Sequence, residues 1–347
     1  MDDAVVIGAG IAGTTLALYL LKSGRRVLLI GDQAEGASQV AAGIVNPITG
    51  RKFALSWNYP ELFKEAIDFY SSHAFPNHFH QRPVYRALLT PKDYNQWISR
   101  SVDPTISAYG GHLDNEVYFK NIWNLKVTDW LKIEQGGRLN ITGFLKDAHD
   151  FLKTQHSFLA HKVSKSDVDI VGKRLVIKEA PSAEVFIAEG APFQHFLFPQ
   201  IPIRPAKGEV LLLHSEDLPN GLILKNQYFL VHLGGEKYWF GSNYERNAQP
   251  IPTEATYLKM TNFLNKHALF SYRIESHRIG IRPTVPDRKP LVGKVPGLEN
   301  VYIFNGMGSK GSSLSPWCAR QLLLYLDRDQ ALPAEIDLKR YAERWSA

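Results

Sequence analysis

Apolar and polar positions follow two textures along this chain. At the start, Val5, Val6 and Ile7 form an unbroken apolar run, and residues 27–30 (Val-Leu-Leu-Ile) form another. Short runs with no polar interruption read as strands buried on both faces, as in a parallel sheet. Residues 14–22 between them read as a helix. Residues 60–73 carry an amphipathic helical pattern. Residues 142–154 carry another, with Phe144, Leu145, Ala148, Phe151 and Leu152 on one side. From about 82 to 132 the texture changes. Short β-rich runs at 83–89 and 117–120 alternate with Gly, Asn and Asp turns, and a helix is expected at 91–101. Strands are expected at 168–171, 174–177 and 184–190, and β-rich texture returns at 208–242. A helix at 253–267, a strand at 301–304 and a helix at 315–325 complete the pattern. The second texture predicts a sheet-based unit inserted after the first strand–helix–strand.

The turn after the first strand reads Gly8-x-Gly10-x-x-Gly13. Gly8 permits a tight turn, Gly10 lets a pyrophosphate approach the backbone, and Gly13 lets helix and strand pack closely. The helix start then offers free N–H groups and a positive dipole end to phosphates. The spacing predicts a dinucleotide site; the alternative is a glycine-rich turn without a ligand. An acid about 20 residues on would hold the ribose, and Asp32 stands close to that position, one residue after Gly31. The small, polar stretch 36–47, with Ser38, Ala42, Gly43 and Ile44, can run tightly beside a flat ligand. Near the far end lie Gly280-Ile-Arg-Pro283, Asp287 and Pro290-Leu-Val-Gly293. A second strand–glycine loop–helix follows, with the loop Gly306-Met307-Gly308-Ser309-Lys310-Gly311.

Composition narrows this little. With 347 residues the chain can bury two lobes, and 44% hydrophobic against 21% charged residues is a globular balance. The net charge of +6 suits an anionic ligand or RNA, or simply a basic surface. A single cysteine, Cys318, excludes an intramolecular disulfide and a cysteine-based metal site. Residues 4–21 carry no charge, but the acidic Met1-Asp2-Asp3 start and the glycine spacing argue against a signal peptide or membrane span. A cytoplasmic protein without a membrane partner is expected. His73, His78 and His80 are broken by Pro76 and lack a supporting carboxylate, so no metal site is expected there.

These motifs together resemble the D-amino-acid-oxidase-like family of FAD-dependent oxidoreductases, which includes glycine and sarcosine oxidases. The matching residues are Gly8, Gly10 and Gly13, then Ala37, Ser38, Ala42, Gly43 and Ile44. Gly280 to Pro283, Asp287, Pro290 to Gly293 and the 306–311 loop match at the far end. The resemblance implies an α/β (α+β overall) fold: a Rossmann-type FAD-binding domain interleaved with a mixed-sheet substrate domain. The implied division is 1–80, 140–203 and 276–347 for the FAD-binding domain, and 81–139 and 204–275 for the substrate domain.

The resemblance further implies noncovalent FAD, since Cys318 does not match the position of covalent attachment. The implied cofactor contacts are Gly8, Gly10, Ile11, Ala12, Gly13, Asp32, Ser38, Ala42, Gly43, Ile44, Val163, Gly190, Gly306, Met307, Gly308, Ser309, Lys310, Gly311 and Ser312. Loop N–H groups at 306–311 would face the flavin pyrimidine oxygens. Lys310 would add charge there or be solvated. The implied reaction is hydride transfer from the carbon beside an amine to flavin N5. A carboxylate-bearing substrate needs a cation, and a planar guanidinium suits it. Arg282 is the implied carboxylate ligand; the alternative is a purely architectural arginine paired with Asp287. Tyr228, His232, Tyr238 and Tyr244 are candidates to line a cavity, although a packing or surface role is the more natural one for each. The 306–311 loop with the following Ser-Pro-x-x-Ala-Arg-Gln-Leu also resembles the oxidase domains of bifunctional tRNA wobble-uridine modification enzymes. Three readings therefore stand. They are oxidation of a small amine or amino acid, the same chemistry on a carboxymethylaminomethyl group of tRNA, and a flavin-binding protein without turnover.

Overall fold

The computed structural model describes residues 3–345 except 33–35, 72–76, 113–118, 120, 182, 192–197 and 247–248. The chain builds one layer, leaves it, and returns twice. It starts with β1 (Ala4–Ile7), α1 (Ile11–Lys22) and β2 (Val27–Ile30), then α2 (Ala37–Val40) and α3 (Tyr59–Tyr70). It leaves for β3 (Val84–Leu88), α4 (Pro91–Ser101), β4 (Gly110–His112) and β5 (Asp129–Ile133). It returns through α5 (Ile141–Thr154), β6 (Phe158–Leu159) and β7 (Glu184–Ile187). A second excursion holds β8 (Arg204–His214), β9 (Ile223–Lys225), β10 (Phe229–Gly234), β11 (Lys237–Gly241), β12 (Glu245–Arg246), α6 (Glu254–His267) and β13 (Arg273–Thr284). The chain ends in the first layer with β14 (Leu291–Lys294), β15 (Val301–Asn305) and α7 (Gly311–Arg328).

The first sheet has six strands in the order β6-β2-β1-β7-β15-β14. All its pairs are parallel except β14–β15. As the unbroken apolar runs require, β1 and β7 are covered on both sides. Val6, Phe186 and Phe304 pack under α1, α5 and α7, while Val5, Val185 and Ile303 pack on the opposite face. The strand expected at 117–120 lies outside the described residues, apart from Phe119.

The second sheet has nine strands, in the order β12-β8-β11-β10-β9-β3-β5-β4, with β13 also paired to β8. Its inner face meets the segment 40–53. Val84, Leu88, Val210, Val231 and Trp239 pack there with Val40, Val45, Ile48 and Phe53. Its outer face packs against α6 through Met260 and Leu264.

Two elements differ from the sequence expectation for physical reasons. β13 is a twelve-residue strand that the charged, Pro-containing pattern concealed. It pairs only with β8, and a strand with one neighbour tolerates Pro283. α7 starts at Gly311, four residues before the expected 315, and so contains Pro316 in its interior. Burying Leu314, Trp317, Cys318 and Ala319 in the core offsets the ladder bond that Pro316 removes.

Candidate active site at the two glycine loops

The first glycine turn is shaped by close contact. A Cβ on Gly8 (φ +110°) would lie 2.5 Å from the Ala188 carbonyl oxygen, and one on Gly13 would overlap the Gly8 carbonyl oxygen. β1, β7 and α1 therefore meet with no room for side chains. Gly31 is forced in the same way, because a Cβ there would come within 2.5 Å of the Ala9 nitrogen. That explains why the acid follows one residue later, at the exposed Asp32. At the start of α1 no side chain caps the helix from Gly10, but Ser38 Oγ accepts the Ile11 N–H at 3.0 Å. Ala12 is half-buried one position on.

The segment 37–45 is clamped from three sides. Trp239 Nε1 donates to the Val40 carbonyl at 2.8 Å, and Arg138 Nε donates to the Ala42 carbonyl at 3.1 Å. Leu139 N–H bonds the Gly43 carbonyl. Gly43 has φ +75°, and a Cβ there would overlap the Leu139 carbonyl oxygen. Ile44 pairs with Arg138 across a short ladder.

The second glycine loop is brought to the first. A Cβ on Gly311 would lie 2.7 Å from Ile11 Cγ2. Met307 and Ser312 are buried, whereas Ser309 is exposed. Asn305 ties the neighbouring turn in place: its Nδ2 donates to the Gly190 carbonyl at 2.8 Å, and its Oδ1 accepts the Gly306 N–H at 2.8 Å. Gly190 (φ +72°) has open space around its Cβ direction. Val163 is buried in the cluster on the opposite side of the sheet from α1. Lys310 Nζ donates to Ser56 Oγ at 3.1 Å, and burial, then the nearby Lys289 and Arg288, hold its ammonium below the ordinary lysine range.

Arg282 lies between the 37–45 segment and the second glycine loop. Two residues before it, Gly280 packs against Ala37 and Val40; one residue after it, the Pro283 carbonyl accepts the Gly308 N–H at 3.1 Å. Its guanidinium donates to the Lys207 carbonyl at 3.1 Å, to Ser242 Oγ at 2.6 Å and to the Asn243 carbonyl at 3.3 Å. It also lies 5.4 Å from the Tyr244 ring. All its hydrogen-bond acceptors are neutral, and burial lowers its affinity for the proton it carries. Asp287 does not pair with Arg282; it accepts from Arg340 Nε at 2.8 Å.

Behind Arg282 lies a network that the sequence did not reveal. Lys207 and Glu209 are both buried, with Nζ and Oε1 2.8 Å apart. Glu209 also accepts the Thr253 N–H at 2.8 Å and the Thr253 hydroxyl at 2.7 Å, and His277 Nε2 lies 2.9 Å away. Glu209 N–H in turn donates to Asn243 Oδ1. The alternation in β8 hid this, because Lys207 and Glu209 sit in a run otherwise read as apolar. Two further groups near the first turn also escaped. His149 Nε2 and Thr14 Oγ1 are 3.0 Å apart, and burial pulls the ring down to about 4. Burial pushes the Glu189 carboxyl up to about 7, beside Gly190.

The other candidates disperse. Tyr228, His232 and Tyr238 face the outer side of the second sheet: Tyr228 and Tyr238 join its buried cluster, the His232 ring contacts that of Tyr238, and the Tyr238 hydroxyl donates to the Leu218 carbonyl. Only Tyr244 of the four lies beside Arg282. His78 bonds Asp147, His80 is exposed, and His73 lies outside the described residues.

The mostly parallel sheet, the two glycine loops that meet at Ile11 and Gly311, and Arg282 beside the second loop make up the candidate site. The model of the FAD dependent oxidoreductase (DAO) family matches residues 3–323, and the chain belongs to that family, with FAD as its cofactor. It is 24% identical over 98% of its length to the tRNA 5-methylaminomethyl-2-thiouridine biosynthesis bifunctional protein MnmC of Leptospira interrogans, and spans 60% of that protein. It is 22% identical to the glycine oxidase of Pseudomonas aeruginosa, covering 92% of this chain and 93% of that one. The structure of glycine oxidase from Bacillus cereus shares the fold, with a TM-score of 0.81 over 96% of both chains at 16% identity. Among the described residues no helix is long and apolar enough to cross a membrane.

Proposed function

We propose that this protein oxidises the C–N bond of a small amine or amino acid bearing a carboxylate. The observation that carries this reading is Arg282, a largely buried guanidinium held beside the second glycine loop and the 37–45 segment with only neutral acceptors around it. A buried cation without a counter-charge is costly unless an anion completes it. A carboxylate docking there would be held by charge-assisted hydrogen bonds from the guanidinium N–H groups that these acceptors leave over.

The cradle suits FAD. The α1 start without a cap from Gly10, the tight Gly8–Gly13 contact and the open space over Gly190 suit a pyrophosphate chain. Gly8, Gly10, Ile11, Ala12, Gly13 and Ser38 would hold the pyrophosphate end, with Asp32 and Val163 toward the adenosine. Ala42, Gly43, Ile44, Gly190 and the loop 306–312 would hold the flavin end. FAD, when bound, supplies the two-electron acceptor for the hydride lost beside the amine. Arg282 orients the substrate, and the Lys207–Glu209 network fixes Arg282 through the Lys207 carbonyl and Asn243. Cys318 is fully buried in α7, which supports noncovalent binding.

A second reading has its own observation. Arg288, Lys289 and Lys310 cluster beside the loop, with Lys289 Nζ 3.9 Å over the Trp57 ring, a surface that suits a polyanion such as tRNA. Together with the MnmC likeness this supports oxidation of a carboxymethylaminomethyl group on a tRNA base.

Anaerobic mixing of the FAD-loaded protein with glycine, sarcosine, D-amino acids and a carboxymethylaminomethyl-uridine tRNA separates the readings. Bleaching of the flavin band by a small amine supports the first, and bleaching by the tRNA alone supports the second. No bleaching by any of them would leave a flavin-binding protein without turnover.

A further inference from the structure

The inner face of the second sheet carries a second set of cations at a distance from Arg282. The strand registers align Leu131, Arg86, Lys225, Phe229, Gly241 and Val210 in one row across β5, β3, β9, β10, β11 and β8. Arg86 points the same way as Val84 and Leu88, and its guanidinium lies 3.8 Å over the Phe53 ring. Lys225 is its direct neighbour on β9, with Nζ 4.8 Å over the Phe229 ring and donating to the Gln227 carbonyl at 2.8 Å. Among the described residues no carboxylate lies within ion-pair distance of either group. Asp93, the acid whose charge Arg86 feels, is engaged in the Thr90 cap of α4.

Two like charges directly across a strand pair repel, and desolvating both adds to the cost. Burial brings Arg86 down to about 10, and burial together with Arg86 brings Lys225 down to about 8. Among the described residues no carboxylate offsets this, and both groups rest on aromatic rings that fix them in place. Between this pair and β8 the row offers Gly241, with no side chain, and Phe229, a flat apolar floor; Arg282 lies off the row, on β13 opposite Ala206, with its guanidinium over Gly208 two residues along β8 from Val210. From Gly208 to Lys225 is three strand steps, roughly 14 Å across the sheet, plus a two-residue offset, roughly 7 Å, along it.

We propose that Arg86 and Lys225 form a second anion subsite, which takes a phosphate or carboxylate at the far end of a substrate anchored by Arg282. The substrate class is then an extended amine with anionic groups at both ends. This class rests on the amine-oxidation reading; the anion subsite itself does not.

Equilibrium dialysis of the FAD-loaded protein against labelled inorganic phosphate tests it, because binding is read without turnover. Saturable binding with a millimolar Kd is expected for so small a probe, and any share held by Arg282 is unchanged by substitution at Arg86 or Lys225. Arg86→Met and Lys225→Met keep the apolar stems on their rings and should each weaken binding ~10-fold, the scale of one lost charge-assisted hydrogen bond. Lys225→Arg should restore it, which a variant damaged in folding would not show. Succinate and a 5′-mononucleotide run as competitors: displacement by succinate assigns a carboxylate, and displacement by the mononucleotide alone assigns a phosphate. If neither phosphate nor succinate binds saturably, or if both Met variants bind as the wild type does, the subsite is overturned. A failed amine panel would leave this result standing, and the reverse also holds.

Discussion

Gly208→Ala is the sharpest test of how Arg282 is held. Gly208 lies directly under the guanidinium, and a Cβ there would come within 2.5 Å of Cζ and 2.6 Å of Nη1. Carbon needs ~3.5 Å, so the guanidinium must retreat by roughly 1 Å. Its bonds to the Lys207 carbonyl, now 3.1 Å, and to Ser242 Oγ, now 2.6 Å, cannot both survive that shift. Because the atoms that must move are the free end of a flexible side chain, the fold should tolerate the methyl group, with Tm shifted by less than ~4 °C. The site should not. A displacement near 1 Å in a positioning group costs ~100-fold in rate, and a lost charge-assisted carboxylate contact costs a similar factor in binding. The assay is kcat/KM on the amine that best bleaches the flavin, together with the Kd of a small carboxylate read from the flavin spectrum. Gly111→Ala on the same sheet is the control, since its Cβ would meet nothing within 4 Å. A Gly208→Ala protein with wild-type kcat/KM and carboxylate affinity would refute the placement of Arg282 in the site.

Three further outcomes are expected. Glu209→Gln leaves the buried Lys207 ammonium short of its main partner and should cost ~3–5 kcal/mol, whereas the Lys207→Met/Glu209→Leu double variant should cost much less, by urea midpoint. Gly43→Ala forces a positive φ on a side chain, ~1–2 kcal/mol, and drives it into the Leu139 carbonyl; lowered stability and reduced flavin content on purification should follow. The Glu189 carboxyl is raised to about 7 from 4.5. The folded state therefore keeps its proton while the unfolded state loses it, and stability falls as pH rises from ~4.5 to ~7, by on the order of 3 kcal/mol, and then levels off. Glu189→Gln should remove that slope in melts between pH 5 and 8; an unchanged slope would show that Glu189 is not the group responsible.

Much of the first layer was legible in local sequence. Unbroken apolar runs fixed β1, β2, β7 and β15 as buried parallel-type strands, and three glycines marked the only spacing at which α1 could meet β1 and β7. The change in texture at 82 announced a second sheet, because half-buried strands must alternate. What stayed hidden depends on partners far along the chain. β13 carries too many polar residues to read as a strand, and only pairing with β8 makes it one. Lys207 and Glu209 gave no sign of a network until the fold placed Thr253 and His277 around them. The contact of Gly311 with Ile11, the neutral shell around Arg282 and the adjacency of Arg86 and Lys225 are all set by strand register and layer packing. Sequence by itself determined most of the strands, turns and helices, since those follow from spacing within a few residues. The tertiary structure alone decided which charges are left without partners, since burial and pairing across tens to hundreds of residues set the cost of each.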